Sequence, residues 1–250
     1  MKPLCDYHVH TVFSDGKNTP EEMVKAAIDK DISELGFSDH SYTFFDESYC
    51  VKREKIAEYK REIARLKNEY KDKIKILCGI EQDYYSAEST DGYDYAIGSV
   101  HYVQLGEKYL PVDESENDFK AIAENCFGGD YYAFSEEYFK TVAGFAERKD
   151  IKIIGHFDLI TKFNENGKLF DENDNRYITA WKNAADKLLA AGKTFEINTG
   201  AISRGYKTEP YPSNTIREYI KSKGGKFVFG SDSHHKNALC YDFDKYEKEI

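Results

Sequence analysis

Short apolar runs alternate along this chain with longer segments in which apolar residues recur every three or four positions. The runs at 3–10, 32–37, 74–80, 95–100, 151–155, 194–198 and 226–230 have the length and residue types of β-strands. Between them, Ile56, Tyr59, Ile63, Leu66 and Tyr70 fall on one face of a charged helix expected over 51–72. Thr19-Pro20-Glu21-Glu22 reads as a helix start, with Thr19 as N-cap and proline at the first helical position. Further helices are expected up to Arg148, near 176–191 and near 213–223, with an acidic, glycine-containing insertion near 104–118. This alternation predicts an α/β fold built on a parallel sheet. No internal repeat, low-complexity tract or flexible linker interrupts it, so one domain over 1–250 is expected.

The chemistry sits at the strand ends. His8 and His10 end the first strand, with Asp15 in the loop after it; Asp39 and His40 end the second, and Glu81 the third. His101 ends the fourth, His156 the fifth, and Asp232, His234 and His235 follow the seventh. Side chains alternate faces along a strand, so Asp6, His8 and His10 are expected to project together. In a parallel barrel the C-terminal strand ends gather on one face, which brings these residues to one place. Taken singly, His156 reads as a core or rim residue, Asp15 in Ser14-Asp15-Gly16 as a turn residue, and Glu81 as an ion-paired carboxylate. Their joint placement at corresponding strand ends favours a metal site instead. Six histidines and three carboxylates exceed the four ligands of one tetrahedral zinc, so several ions are expected. Mixed imidazole and carboxylate donors suit Zn, Fe or Mn better than Mg or Ca. Closely spaced ions activate a shared water and clamp the oxygens in phosphoryl transfer, which points to hydrolysis.

Composition narrows the partners. With 40 % hydrophobic and 32 % charged residues the chain is an ordinary globular sequence, and at this length roughly 70–75 % of the unfolded surface is buried on folding. A formal net charge of -10 and the lack of a Lys/Arg stripe disfavour long nucleic acid as a partner. Five cysteines without CxxC spacing are expected to be reduced thiols of a cytoplasmic protein. Met1-Lys2-Pro3 leads straight into a strand, and no run approaches the ~18 apolar residues of a membrane span. Oligomeric state is left open.

In order, Asp-x-His-x-His at 6–10, Ser14-Asp15-Gly16, Ser38-Asp39-His40, Gly79-Ile80-Glu81, Gly98-Ser99-Val100-His101, Gly155-His156-Phe157-Asp158 and Gly230-Ser231-Asp232-Ser233-His234-His235 resemble the PHP (polymerase and histidinol phosphatase) family. The single-domain length, with Ile97 to Tyr102 and Pro111-Val112-Asp113, is most similar to the monofunctional histidinol-phosphate phosphatases. The resemblance implies a distorted (β/α)7 TIM-like barrel holding three divalent transition-metal ions, of Zn, Fe or Mn. It implies one ion on His8, His10, Glu81 and Asp232, a second on Asp15, His40 and His234, and a third on Glu81, His101 and His156, with Glu81 bridging. Asp6 and Asp39 are expected to orient the ligating imidazoles.

Three divalent ions, three ligating carboxylates and one hydroxide leave about two positive charges, which a phosphomonoester dianion neutralises and a diester does not. Arg204, after the sixth strand, is a candidate fork for the phosphate, with Lys162 as a second. His235 is a candidate proton donor to the leaving alkoxide. Tyr42 and Tyr102, with Phe44 and Phe45, are expected to wall a pocket for an imidazole or ammonium group, and Asp113 and Glu114 to add charge recognition. The implied activity is hydrolysis of a small phosphate monoester, L-histidinol phosphate first. A phosphodiesterase acting on nucleotides or short strands is the alternative. An amidohydrolase shares the His-x-His opening but leaves Asp15, His40 and Glu81 unexplained. A non-catalytic module kept for assembly is disfavoured by the complete ligand set.

Overall fold

Seven short apolar runs lie side by side in parallel, in nearly the order in which the chain delivers them. They are β1 (Cys5–Asp6), β2 (Glu34–Phe37), β3 (Lys75–Asp83) and β4 (Tyr95–Ser99); then, after a detached antiparallel hairpin of β5 (Tyr102–Leu105) and β6 (Lys108–Pro111), come β7 (Ile153–Ile154), β8 (Thr194–Asn198) and β9 (Lys226–Gly230). A computed structural model describes residues 4–250; Met1-Lys2-Pro3, including the start of the first expected strand, lies outside the described residues. The sheet curls until its edges meet. His10 N donates to Ser233 O at 2.9 Å and Ser233 N to His8 O at 3.2 Å, around a parallel bridge between Val9 and Ser233. The closure lies beyond the C-terminal ends of β1 and β9, and the result is the expected distorted seven-stranded α/β barrel.

Helices cover the outside because their apolar faces have nowhere else to go. Helix α1 (Pro20–Asp29) opens with Thr19 and Glu22 in a reciprocal capping box. Helix α2 (Ile56–Glu69) buries Tyr59, Ile63 and Leu66, after a 3-10 turn at Arg53–Lys55. With Leu35, Phe37 and Val24 these form one core layer. A larger layer lies under α3 (Glu116–Phe127), α4 (Tyr131–Ala143), α5 (Asn175–Ala190), α6 (Gly200–Ser203) and α7 (Asn214–Ser222), where Phe134, Phe139, Trp181 and Phe195 pack. A short helix, α8 (Phe243–Tyr246), and a 3-10 turn at Glu247–Glu249 follow β9. Among the described residues no helix is long and apolar enough to cross a membrane, and Cys50, Cys78, Cys126 and Cys240 are free thiols.

Two elements differ from the expectation. Among the described residues the first ladder is Cys5–Asp6; beyond it Tyr7 N reaches Phe229 O, and Val9, still bonded to Ser38, bridges to Ser233. The insertion near 104–118, expected only as acidic and glycine-containing, takes part in a hairpin in its first half. Leu105 pairs with Lys108 across Gly106-Glu107, and Gly106 takes the φ of +62° that a two-residue hairpin turn demands. Val103, Leu110 and Val112 hold this hairpin to the larger core layer.

Tyr95 fixes the floor of the barrel mouth. Its hydroxyl lies between Tyr7 O at 2.6 Å and Phe37 O at 3.1 Å, tying β4 to the chain just before His8 and His40. Tyr95→Phe strips the phenolic donor from two enclosed carbonyls, at a cost of about 1–3 kcal/mol. The denaturant midpoint is expected to fall at unchanged m-value; an unchanged midpoint would show that the tie carries no stability.

Candidate metal centre

Glu81, at the inner end of β3, is 1 % exposed and touches five imidazoles. Its Oε2 lies 3.2 Å from His8 Nε2, 3.6 Å from His10 Nε2 and 2.8 Å from His40 Nδ1. Its Oε1 lies 3.4 Å from His101 Nε2 and 2.9 Å from His156 Nε2. These five rings form a closed circuit around the carboxylate, in the order His8, His10, His40, His101 and His156, with neighbouring centroids 4.3–5.8 Å apart. His234 stacks on His10 from outside at 4.2 Å, and its Nε2 faces Asp15 Oδ2 at 3.1 Å. Asp232 takes a left-handed φ of +50°, a conformation that aspartate tolerates better than most residues. Its Oδ1 reaches His10 Nε2 at 3.2 Å and His8 Nε2 at 3.9 Å. All nine residues expected as ligands are therefore brought together.

Their donor atoms fall into overlapping groups: His10, Asp15, His40 and His234; His8, His10 and Asp232; His8, Glu81 and His156; and His40, Glu81 and His101. The first two groups contain the expected non-Glu81 ligands of two ions, with His10 shared. The third expected set is split, since His101 and His156 enter different groups through Glu81. The two oxygens of Glu81 nonetheless divide the rings as a bridging carboxylate requires, with Oε1 toward His101 and His156 and Oε2 toward the others.

Left to itself this cluster is electrostatically discordant. His8 Nε2, both ring nitrogens of His10, His101 Nδ1, His156 Nδ1 and Glu81 Oε2 are buried without a well-formed hydrogen bond, a costly state for polar atoms. Burial works against ionisation of Glu81, yet His8, His40 and His101 hold its carboxyl well below the usual range. Burial also opposes charge on His8, but Glu196, Glu81 and Asp232 together push it well above the usual imidazole value. Burial, with His234 and His40 beside it, pulls His10 down to about 3. Neighbouring rings are thus driven in opposite directions. Cations that accept nitrogen lone pairs and neutralise the carboxylates resolve this, and the nitrogen and oxygen donor set fits Zn, Fe or Mn.

The carboxylates expected to orient the imidazoles do something else. Asp6 accepts from Ser231 N at 3.0 Å and Cys240 N at 2.9 Å, and Asp39 from Thr11 N at 2.8 Å and the Ser14 hydroxyl at 2.6 Å. Both tie backbone around the strand ends, because their side chains point away from the rings. The residue that does reach an imidazole is Glu196, whose Oε1 lies 2.6 Å from His8 Nδ1. Asp83 Oδ2 stands 3.4 Å from His101 Nδ1. Sequence reasoning missed Glu196, although a glutamate inside Thr194-Phe195-Glu196-Ile197-Asn198, on a strand otherwise apolar, was the available signal.

Above the ring opens a cavity of about 280 Å³, walled by Tyr49, Tyr102, Asp113, Glu114, Lys162 and Arg204. Arg204 donates from Nη2 to Asp232 Oδ2 at 2.9 Å and from Nη1 to Asp232 O at 2.8 Å. Lys162 Nζ donates to Asp113 O at 2.7 Å and Oδ2 at 3.1 Å. Tyr102 donates to Asp46 Oδ2 at 2.7 Å, and Phe45 stacks on Tyr109 behind it at 4.0 Å. Two expected residues are not in this wall. Tyr42 turns outward, donating to Glu47 Oε1 at 2.7 Å with its ring under Arg53, and Tyr49 stands over His40 instead. His235 also faces away, its Nδ1 accepting Asn237 N at 3.2 Å to cap a short turn. Phe44 is 59 % exposed. A larger open groove of about 510 Å³, between α4 and α5, lies away from the strand ends and gathers no ligand set among the described residues.

The PHP domain model matches residues 6–200. A protein of Deinococcus radiodurans named probable histidinol-phosphatase is 31 % identical over all of this chain and 94 % of its own length. The histidinol-phosphatase of Bacillus subtilis is 27 % identical over 96 % of this chain and 97 % of its own. The crystal structure of the Lactococcus lactis histidinol phosphate phosphatase, complexed with Zn, L-histidinol and phosphate, superposes with a TM-score of 0.72 at 25 % identity, covering 99 % of this chain and 92 % of that one. On the extent of these matches the chain belongs to the PHP domain family.

Proposed function

We propose that this protein is a metal-dependent phosphomonoesterase that hydrolyses L-histidinol phosphate to L-histidinol and phosphate. The observation that carries this reading is the circuit of five imidazoles around Glu81, opening into a cavity with cationic side chains. Full-length similarity to histidinol-phosphatases, one of them complexed with Zn, L-histidinol and phosphate, supplies the substrate.

Three ions are proposed, of Zn, Fe or Mn: one on His8, His10, Glu81 and Asp232, one on Asp15, His40 and His234, and one on Glu81, His101 and His156. When bound, such ions supply a water acidic enough to attack phosphorus at neutral pH and the positive charge that stabilises the transferring group. The chain's own residues do the rest. Arg204 spends two donors on Asp232 and has Nη1 3.3 Å from His234 Nδ1, which leaves Nε and one N–H of Nη2 for phosphate oxygens. Lys162, fixed by Asp113, adds a second positive charge to the cavity lining. That pairing uses up Asp113, so recognition of the substrate's cationic end falls to Glu114 on the same rim. Tyr102, braced by Asp46, and Tyr49 give the organic group an aromatic wall. A cavity of about 280 Å³ and a net charge of -10 suit a small ester and give long nucleic acid no basic track.

The first test is phosphate release by protein reconstituted with Mn, Fe or Zn, comparing L-histidinol phosphate with nucleoside monophosphates, sugar phosphates and a diester. Selective turnover of L-histidinol phosphate, abolished by His8→Ala, is expected; a preference for the diester would discard the substrate. Glu114→Ala is expected to raise KM for L-histidinol phosphate about fivefold, roughly 1 kcal/mol, while p-nitrophenyl phosphate is unaffected. An unchanged KM removes Glu114 from recognition. Metal uptake also has a pH signature. His8, His40 and His101 are raised above the ordinary imidazole value, so they hold protons that an incoming cation must displace. Zn added to the metal-free protein in weak buffer is expected to release protons, with affinity falling as pH is lowered. Uptake without proton release contradicts this assignment.

A further inference from the structure

The geometry points to Glu196 as a positioning residue that dictates which nitrogen of His8 faces the ions. This inference rests on the metal-dependent reading above but concerns a residue that coordinates nothing. Glu196 is 1 % exposed, and three donors from three neighbouring strand ends converge on it. Oε1 faces His8 Nδ1 at 2.6 Å; Oε2 accepts His156 N at 2.8 Å and Asn198 Nδ2 at 2.9 Å. A carboxylate offers only acceptors, so a ring nitrogen at 2.6 Å from it carries a hydrogen. His8 is thereby held with Nδ1–H outward and Nε2 toward Glu81 Oε2 and Asp232 Oδ1, where Nε2 finds no hydrogen-bond partner. No other imidazole of the ring circuit has its outward nitrogen on a carboxylate at so short a distance among the described residues. The position is built for this side chain. A Cβ on Gly230 would lie 1.7 Å from Glu196 Oε1 and 2.7 Å from His8 Cβ, so β9 passes close only because residue 230 is glycine.

An amide of the same shape does not satisfy the same three donors. In Glu196→Gln, one orientation sets the NH2 against His8 Nδ1 and favours the tautomer with hydrogen on Nε2, occluding the lone pair meant for a cation. The other sets it against His156 N–H and the Asn198 amide. In that second orientation the amide oxygen still accepts from His8 Nδ1, but only with donors set against donors at His156 and Asn198, so no orientation keeps the His8 presentation without loss. A partner of this kind is typically worth 10- to 100-fold in metal affinity.

The experiment is metal content per chain, by mass spectrometry of Zn- and Mn-loaded wild type, E196Q and E196Q/N198D after dialysis against a chelating resin, with melting of each metal-free form. E196Q is expected to retain about one ion fewer per chain, or to lose Zn at least 10-fold faster, while its metal-free form melts close to wild type. E196Q/N198D moves the carboxylate two residues along, beside the amide, and is expected to regain part of the lost metal. E196Q that keeps wild-type metal content and release rate overturns the inference, as does a drop in metal-free melting with unchanged metal content. If E196Q does not fold, long-range proton–nitrogen correlation on Zn-loaded wild type decides. Metal on His8 Nε2 with a proton on Nδ1 supports the role; metal on Nδ1 overturns it. Wild type that takes up neither Zn nor Mn instead sinks the metalloenzyme reading itself.

Discussion

One carboxylate buried among five imidazoles is the constraint around which the rest of this molecule is arranged. Glu81 cannot offer five nitrogens a hydrogen bond each, and water is largely kept out of the ring. The unsatisfied ring nitrogens and the opposing pushes on neighbouring rings suit the cluster to hold cations. Binding free energy from such ions becomes stability of the fold, because the strand ends that hold the rings are distant in sequence.

Other buried acids make that cage possible without joining it. Asp6 accepts backbone N–H groups from Ser231 and Cys240, Asp39 from Thr11 and Ser14, and Glu196 from His156. Each holds chain that has left the ladder, where strand hydrogen bonds no longer satisfy it. Tyr95 does the converse, donating to the carbonyls of Tyr7 and Phe37. The mouth of the barrel is therefore framed by side-chain bonds to backbone, which set the heights of His8, His40 and His156.

The cavity wall is built from segments outside the barrel. The hairpin β5 to β6 and the loop after His40 meet through the Phe45–Tyr109 stack and the Tyr102–Asp46 hydrogen bond. They close one side of the cavity, while Lys162 and Arg204 face it from the loops after β7 and β8. The cavity thus offers aromatic rings on one side and cationic groups from the loops after β7 and β8.

The order of strands and helices, and the gathering of His8, His10, Asp15, His40, Glu81, His101, His156, Asp232 and His234, were legible in the sequence. Periodicity identifies strands, and parallel topology forces their C-terminal ends together whatever the loops do. The wall of the cavity was not legible in the same way. Tyr42 and His235 follow ligands closely in sequence, yet a turn after His40 and a capping turn after His234 point them outward, and Tyr49 arrives from further along the loop. Glu196 was visible as a charge on an apolar strand, but its task depends on its height against His8 and on the glycine at 230. Residue type and spacing determined which groups meet at the strand ends; side-chain direction in loops and hydrogen bonds across strands depend on contacts far apart in sequence, and only the tertiary structure decided those.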